Sequence, residues 1–240
     1  MSFPLPSSFG LLLHIYYPDS YTYLLEKLSH LEDKSVNMLV NICLDTPAKT
    51  TIIEEIRKKF PSANIISTAN IGKDIGAKLA MYYLLNHLGI SSDWLLFLHD
   101  KQSPQAIHGS KWRDDLYRIF DKDNLKEIAG LMQNSSCGMI GNKENLVEYS
   151  KESDPNSSLF ERLAKSLELS CTGFQFIGGT TFWIRKNILD RFLQEKSLIE
   201  IRFELEKGNV MDHFEPKYTH SWERIFGCMV ENAGYSIKVI

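Results

Sequence analysis

The apolar run Asp93 to Leu98, DWLLFL, is followed at once by His99, Asp100 and Lys101. A carboxylate placed where such a run ends can ligate Mg²⁺ or Mn²⁺ beside a diphosphate, and a neighbouring lysine offsets phosphate charge. The plainer alternative is a solvated His-Asp-Lys turn at a sheet edge. His99 alone would be a poor argument for a metal. Upstream, Asn70 to Gly76 reads NIGKDIG, with Asn70, Gly72 and Gly76 around Lys73 and Asp74. Glycine lets backbone approach a ligand, and amides at the start of a helix can face anionic groups. The plainer alternative makes Asp74 a helix N-cap and the glycines turn residues. The stretch matches neither GxGxxG nor GxxxxGK[ST], which argues against a Rossmann dehydrogenase and a P-loop NTPase.

These residues need a scaffold, and the first hundred positions supply one by alternating β-rich runs with helical patterns, the signature of βαβ units and a mainly parallel sheet. Leu11 to Tyr17, Val36 to Leu44, Asn64 to Ala69 and Asp93 to Leu98 read as strands. Helices are expected after Ser20, with Tyr21, Leu24, Leu25, Leu28 and Leu31 on one face, and after Thr46, with Pro47 at the first helical position. Ala77 to Leu88 is apolar nearly all round and should be a buried helix. NIGKDIG and His99-Asp100-Lys101 then both fall at carboxyl ends of strands, where open α/β sheets bind ligands.

Beyond Lys101 the pattern loosens. Helices are expected around Trp112 to Phe120 and Asn124 to Gln133, a short strand near Gly138 to Gly141, and a surface loop from Ser150 to Ser158. Phe174 to Arg185, FQFIGGTTFWIR, reads as a strand or hairpin interrupted by a close backbone approach, with Phe182 and Trp183 as core aromatics. A helical run follows Asn187, a polar stretch covers Lys207 to Tyr218, a helix lies around Ser221 to Glu231, and Tyr235 to Ile240 closes as a strand. Gln102 to Trp112 is rich in breakers and can be a loop closing over a ligand or a plain connection.

The 240 residues are 43% hydrophobic and 24% charged, the composition of a folded globular protein, and a net charge of −3 gives no general attraction to nucleic acid. Cys43, Cys137, Cys171 and Cys228 are too far apart for a CxxC zinc pattern and are expected as buried thiols. The opening MSFPLPSSFGLLLHIYY lacks a basic leader region, and its apolar run is too short to span a bilayer, so a cytoplasmic location is expected.

NIGKDIG, LLFLHDKQS, FIGGTTFWIR and HSWERIFG, in this order, resemble the rhamnan synthesis F family of polysaccharide glycosyltransferases. The resemblance runs from HIYYPDS near His14 to the ERIFG stretch. It implies an α/β, GT-A-like single domain with a mainly parallel central sheet flanked by helices, residues 1–103 forming a nucleotide-binding half and 104–240 an acceptor-binding half. It implies an inverting transfer of a sugar, rhamnose among the options, from a nucleotide-diphosphate donor to a glycan or lipid-linked acceptor in bacterial surface polysaccharide synthesis. A lipid-linked acceptor would bring the protein to the inner face of the membrane. Where many GT-A enzymes carry Asp-x-Asp, this chain has His99-Asp100-Lys101, leaving Asp100 as one carboxylate for Mg²⁺ or Mn²⁺.

Carried onto this chain, the resemblance places Asp74 at the nucleoside and Asp100 at the diphosphate, with Asn70, Gly72, Lys73, His99 and Lys101 around the donor. Gly178, Gly179 and Thr180 match the stretch that admits the donor sugar and acceptor close to backbone; their alternative is a β-bulge. Glu223, expected to open a late helix, is the base that takes the acceptor hydroxyl proton, ahead of His220 and Asp212. Its alternative is an ion pair with Arg224. The competing class is a non-catalytic GT-A-like module that binds a nucleotide sugar or acts as a scaffold in a polysaccharide assembly complex. A nucleotidyltransferase would need a glycine-rich basic loop near the first strand, which FGLLLHIYYPDS lacks.

Overall fold

The computed structural model describes residues 5, 8–32, 36–100, 109–194, 196–209 and 215–240, with backbone alone at 109–112. The apolar runs of the first half become β1 (Phe9–Ile15), β2 (Asn37–Cys43), β3 (Asn64–Thr68) and β4 (Trp94–His99), joined by α1 (Tyr21–Lys27), α2 (Lys49–Lys59) and α3 (Lys73–His87). Then follow α4 (Gly109–Tyr117), α5 (Leu125–Gln133), β5 (Cys137–Gly141), β6 (Leu146–Glu148), α6 (Ser157–Ser166) and β7 (Gln175–Ile177). The chain closes with β8 (Phe182–Arg185), α7 (Lys186–Leu193), α8 (Leu198–Glu204), α9 (Tyr218–Asn232) and β9 (Ser236–Val239).

Seven strands make one sheet in the order β3-β2-β1-β4-β8-β5-β9, so the sheet runs across the boundary between the two halves expected from sequence. β1 to β4 are mutually parallel, β5 pairs in parallel with β9, and β8 alone runs against its neighbours β4 and β5. β4 lies at the centre of this order and is buried along its whole length, which is why DWLLFL shows no polar alternation. Side chains alternate across each strand. Leu12, Leu39, Leu95 and Phe97 therefore face a core shared with α3, α6, α7 and α9, while Leu11, Leu13, Val40 and Leu96 face α1, α2 and α5 on the other side. The chain is a single α/β domain with a mostly parallel sheet, in agreement with the sequence reading.

Four details depart from expectation. Phe174 to Arg185 is not one hairpin: β7 pairs with β6 in a separate two-stranded sheet, and β8 joins the large one. Pro47 precedes its helix by two residues, because Ala48 takes a left-handed φ of 54° and α2 begins at Lys49. α6 and α8 were not anticipated; α6 buries Phe160, Leu163 and Ala164 at helical spacing, whereas α8 is only seven residues long and exposes Ile199 and Phe203. Cys171 and Cys228 are disulfide-bonded rather than free, joining a loop to α9, while Cys43 and Cys137 are buried thiols as expected.

Candidate functional site

The parallel register of the central strands places Asn41, His14 and His99 side by side at the carboxyl end of β2, β1 and β4. Asn41 Nδ2 lies 2.9 Å from His14 Nδ1, and burial holds the His14 imidazole down to about 4, so it is neutral at physiological pH. Asp100 follows directly. Its carboxylate turns back toward the loop after β1, accepting the amides of Tyr16 at 2.9 Å and Tyr17 at 2.6 Å and the Ser20 hydroxyl at 3.3 Å. Burial pushes its pKa up to about 7, against the lowering effect of those donors. Asp100 thus fixes the β1–α1 loop to the end of β4.

The NIGKDIG turn owes its shape to two successive left-handed residues, Gly72 at φ 71° and Lys73 at φ 51°. A segment distant in sequence clasps it: the Gly72 amide donates to the Glu206 carbonyl at 2.7 Å and the Gly208 amide to the Asn70 carbonyl at 2.8 Å. Any Cβ on Gly76 would strike the Ile71 carbonyl, so that position requires glycine. Gly72, not Asp74, is the N-cap of α3, which corrects the capping alternative. Asp74 instead reaches along the helix to Lys78, one turn on, at 2.6 Å.

Lys78 is wholly buried, and its ammonium also donates to the Thr180 carbonyl at 2.6 Å and the Thr180 hydroxyl at 2.9 Å, with His99 Nδ1 at 3.2 Å. Thr180 in turn donates its hydroxyl to Asp74. Gly178, Gly179 and Thr180 form the turn between β7 and β8, with Gly179 at φ 79° and Thr180 at φ 47°; it is no bulge, since the strands on either side belong to different sheets. Desolvation alone would raise the Asp74 pKa, but the charges of Lys78 and His99 and the two hydrogen bonds hold it far below the usual carboxylate range.

Glu223 lies within electrostatic reach of this turn, the Gly179 amide being among the groups that act on its carboxyl. It lies at the sixth position of α9 rather than in the first turn, so the helix dipole is not what tunes it. Burial raises its pKa; Arg224 and His220 pull it down, Asp74 pushes it up and the Gly179 amide pulls it down. Arg224 Nη1 donates to Glu223 at 3.0 Å while its Nε holds Asp154 at 2.7 Å, so the expected Glu223–Arg224 pair exists and is itself anchored. The Lys73 ammonium is 3.2 Å from His220 Nε2. Glu206 ties both halves together, its carboxylate accepting the amides of Tyr218 at 2.6 Å and Thr219 at 3.0 Å at the start of α9.

A cleft of about 70 Å³ opens here, walled by His14, Tyr16, Tyr17, Asn70, Lys73, Asp74, His99, Asp100 and Asn209. It is small beside the several hundred Å³ of most small-molecule sites. Five of the donor-side residues expected from sequence line it; Glu223 does not, and is coupled to it through Gly179 and Asp74. A larger groove of about 420 Å³ lies by the last turns of α3 and by α7, but its Asp190 is committed to Tyr82 and Lys186 and it sits away from the carboxyl ends of the strands. Lys101, Asp212 and most of the Gln102 to Trp112 loop lie outside the described residues, and Gly109 to Trp112 begin α4. Sequence reasoning missed Lys78, Asp154 and Glu206. Lys78 had a usable signal, a lysine in a helix otherwise apolar all round; the other two had none.

The described carboxylates of the cleft are engaged within the protein. Both Asp100 oxygens are taken by the β1–α1 loop, Asp74 is neutralised by Lys78, and among the described residues no group of three or more His, Cys, Asp or Glu is arranged to hold a metal ion. Among those residues, too, no helix is long and apolar enough to cross a membrane.

A search of curated proteins finds no match to this chain. The family described as rhamnan synthesis protein F matches residues 4–235, a span that contains both glycine turns, the end of β4 and all but the last strand of the sheet. With nearly its whole length matched, the chain belongs to the rhamnan synthesis protein F family.

Proposed function

We propose that this chain is an inverting glycosyltransferase of GT-A-like design that moves a sugar from a nucleotide-diphosphate donor to a glycan or lipid-linked acceptor in rhamnan synthesis. The observation that carries the reading is that Asp74, hydrogen-bonded to Thr180, and Glu223, acted on by the Gly179 amide and by Asp74 itself, come together at the Gly179–Thr180 turn although they are far apart in sequence. The donor would lie along the cleft past Asn70, Lys73 and Asp74, with rhamnose as the sugar the family name indicates. Glu223 takes the proton of the acceptor hydroxyl as that oxygen attacks the anomeric carbon; the bond to the diphosphate breaks, the nucleoside diphosphate departs and the configuration inverts. A carboxylate with a raised pKa is better matched to that proton transfer than an ordinary surface glutamate.

The competing reading, a nucleotide-sugar-binding or scaffold module in a polysaccharide assembly complex, is favoured by one observation: Asp100 is used to hold the β1–α1 loop. Calorimetry against UDP-, GDP-, dTDP- and CMP-sugars, followed by NMR of the product anomer, separates the two. The enzyme reading expects donor binding in the wild type and in Glu223→Gln, with transfer lost in the variant. Donor binding with no transfer to rhamnan acceptors supports the scaffold, and no binding to any donor removes both.

A further inference from the structure

We propose that the groove beside the last turns of α3 and α7 binds a segment of the glycan, as a saccharide site separate from the cleft. The inference rests on the glycan-acceptor part of the reading above and concerns a surface that this reading leaves unused.

At about 420 Å³ the groove has the size of a small-molecule site, which the 70 Å³ cleft does not. Its side chains suit a polyhydroxylated ring. A sugar offers hydroxyls that donate and accept at once, together with a C–H face that can lie on the negative face of an aromatic ring. Asn86 and Gln194 are both exposed in the groove wall, and each brings an amide with donor and acceptor side by side. Asp190 adds an acceptor: the Tyr82 hydroxyl and the Lys186 ammonium both donate to its Oδ1 at 2.6 Å, and no described residue donates to Oδ2. The rings of Tyr83 and His87 lie 6.2 Å apart and 10° from parallel, and Tyr83 is 45% exposed, so an aromatic surface is open to a ligand. Leu193 and Leu198, almost wholly buried, give an apolar floor on which the methyl group of a 6-deoxyhexose such as rhamnose can rest.

The same residues argue against a phosphorylated ligand. Of the two lysines in the described wall, Lys186 is paired with Asp190, and Lys196 turns its ammonium to the Ser166 carbonyl at 3.2 Å. Placement argues for a polymer over a single sugar. α3 begins at Lys73 in the cleft wall and ends 15 residues later at His87 in the groove wall, a rise of roughly 20 Å. A glycan held at the groove is tethered to the protein, which raises the concentration of its free end at the cleft. A lone monosaccharide gains nothing from such a tether.

The test is nitrogen-15 NMR of the wild-type protein titrated with rhamnose oligosaccharides of increasing length, with inorganic phosphate as a control. The side-chain amide signals of Asn86 and Gln194 should shift saturably, and longer oligosaccharides should bind more tightly. Tyr83→Ala and Gln194→Ala, both at exposed positions, should each weaken the affinity read at the groove about fivefold while leaving nucleotide-sugar binding unchanged. Circular dichroism checks that the variants fold, and the wild-type titration needs no variant. Shifts confined to the cleft and the Gly179–Thr180 turn, phosphate at the groove in place of the oligosaccharide, or an unchanged groove affinity in folded Tyr83→Ala overturns the inference. Nucleotide-sugar binding with a silent groove overturns this inference alone; groove binding without any nucleotide-sugar binding removes the donor reading and leaves the saccharide site in place.

Discussion

Lys78 Nζ lies 2.6 Å from the carbonyl oxygen of Thr180, a residue 102 positions further along the chain. The same ammonium holds Asp74 at 2.6 Å, so one buried charge fastens the first turns of α3 to the left-handed turn that faces Glu223. A lysine with no exposed surface is tolerated only when paired and hydrogen-bonded, and this one has a carboxylate, a carbonyl, a hydroxyl and an imidazole around it.

Removing the cation should therefore be costly. Lys78→Met is expected to lower unfolding free energy by about 3 kcal/mol, because Asp74 loses its nearest counter-ion in a mostly buried site. Adding Asp74→Asn to Lys78→Met should recover part of that loss. Urea unfolding of the two single variants and the double variant measures the coupling, and strictly additive effects would show that the pair is not interacting.

Two buried groups give the site opposite responses to pH. His14 sits at about 4 in the folded protein against about 6.5 unfolded, so its contribution is present above pH 6.5 and is lost as pH falls through 4, roughly 3 kcal/mol in all. Asp100 sits at about 7 folded against about 3.9 unfolded, so its contribution is full below 3.9 and is lost as pH rises through 7, of order 4 kcal/mol. Between pH 4 and 6.5 the two largely cancel. His14→Gln should make stability fall with rising pH across that window, and Asp100→Asn should make it climb. Chemical denaturation at stepped pH reads both slopes, and unchanged slopes would refute the assignment.

Arg224 is expected to set the ionisation of the proposed base. In Arg224→Met, Glu223 loses the largest influence that lowers its pKa, so its carboxyl should titrate at higher pH than in the wild type. Asp154→Asn, which keeps the guanidinium but loosens its anchor, should move it less. Carbon-13 NMR of the labelled carboxyl reports the shift directly, and the acidic limb of a transfer pH profile should move the same way.

The Cys171–Cys228 disulfide spans 57 positions and ties the loop before β7 to the buried face of α9. Closing a loop of that length stabilises by about 4 kcal/mol in the chain-entropy account. A Cys171→Ser, Cys228→Ser double variant should melt at lower temperature than the oxidised wild type. The wild type with reductant should fall toward the variant, and the variant itself should not respond to reductant.

How far the sequence alone reaches is visible in the residues of the cleft. Runs such as DWLLFL and the Ala77 to Leu88 pattern determine buried elements by local period and burial, and strand-turn-helix order places NIGKDIG and His99-Asp100 at carboxyl strand ends. The family resemblance also rests on short contiguous motifs. Tertiary structure decided the direction of each carboxylate. Nothing near Asp100 in sequence says that the amides of Tyr16 and Tyr17 will take its oxygens, since those contacts span more than 80 positions. The Lys78–Thr180 and Arg224–Asp154 contacts likewise join segments brought together only when β8 enters the sheet beside β4 and α9 packs across it. Local pattern records which residues are buried, because burial follows period; it does not record which buried charge meets which, because that depends on the crossing of elements distant in the chain.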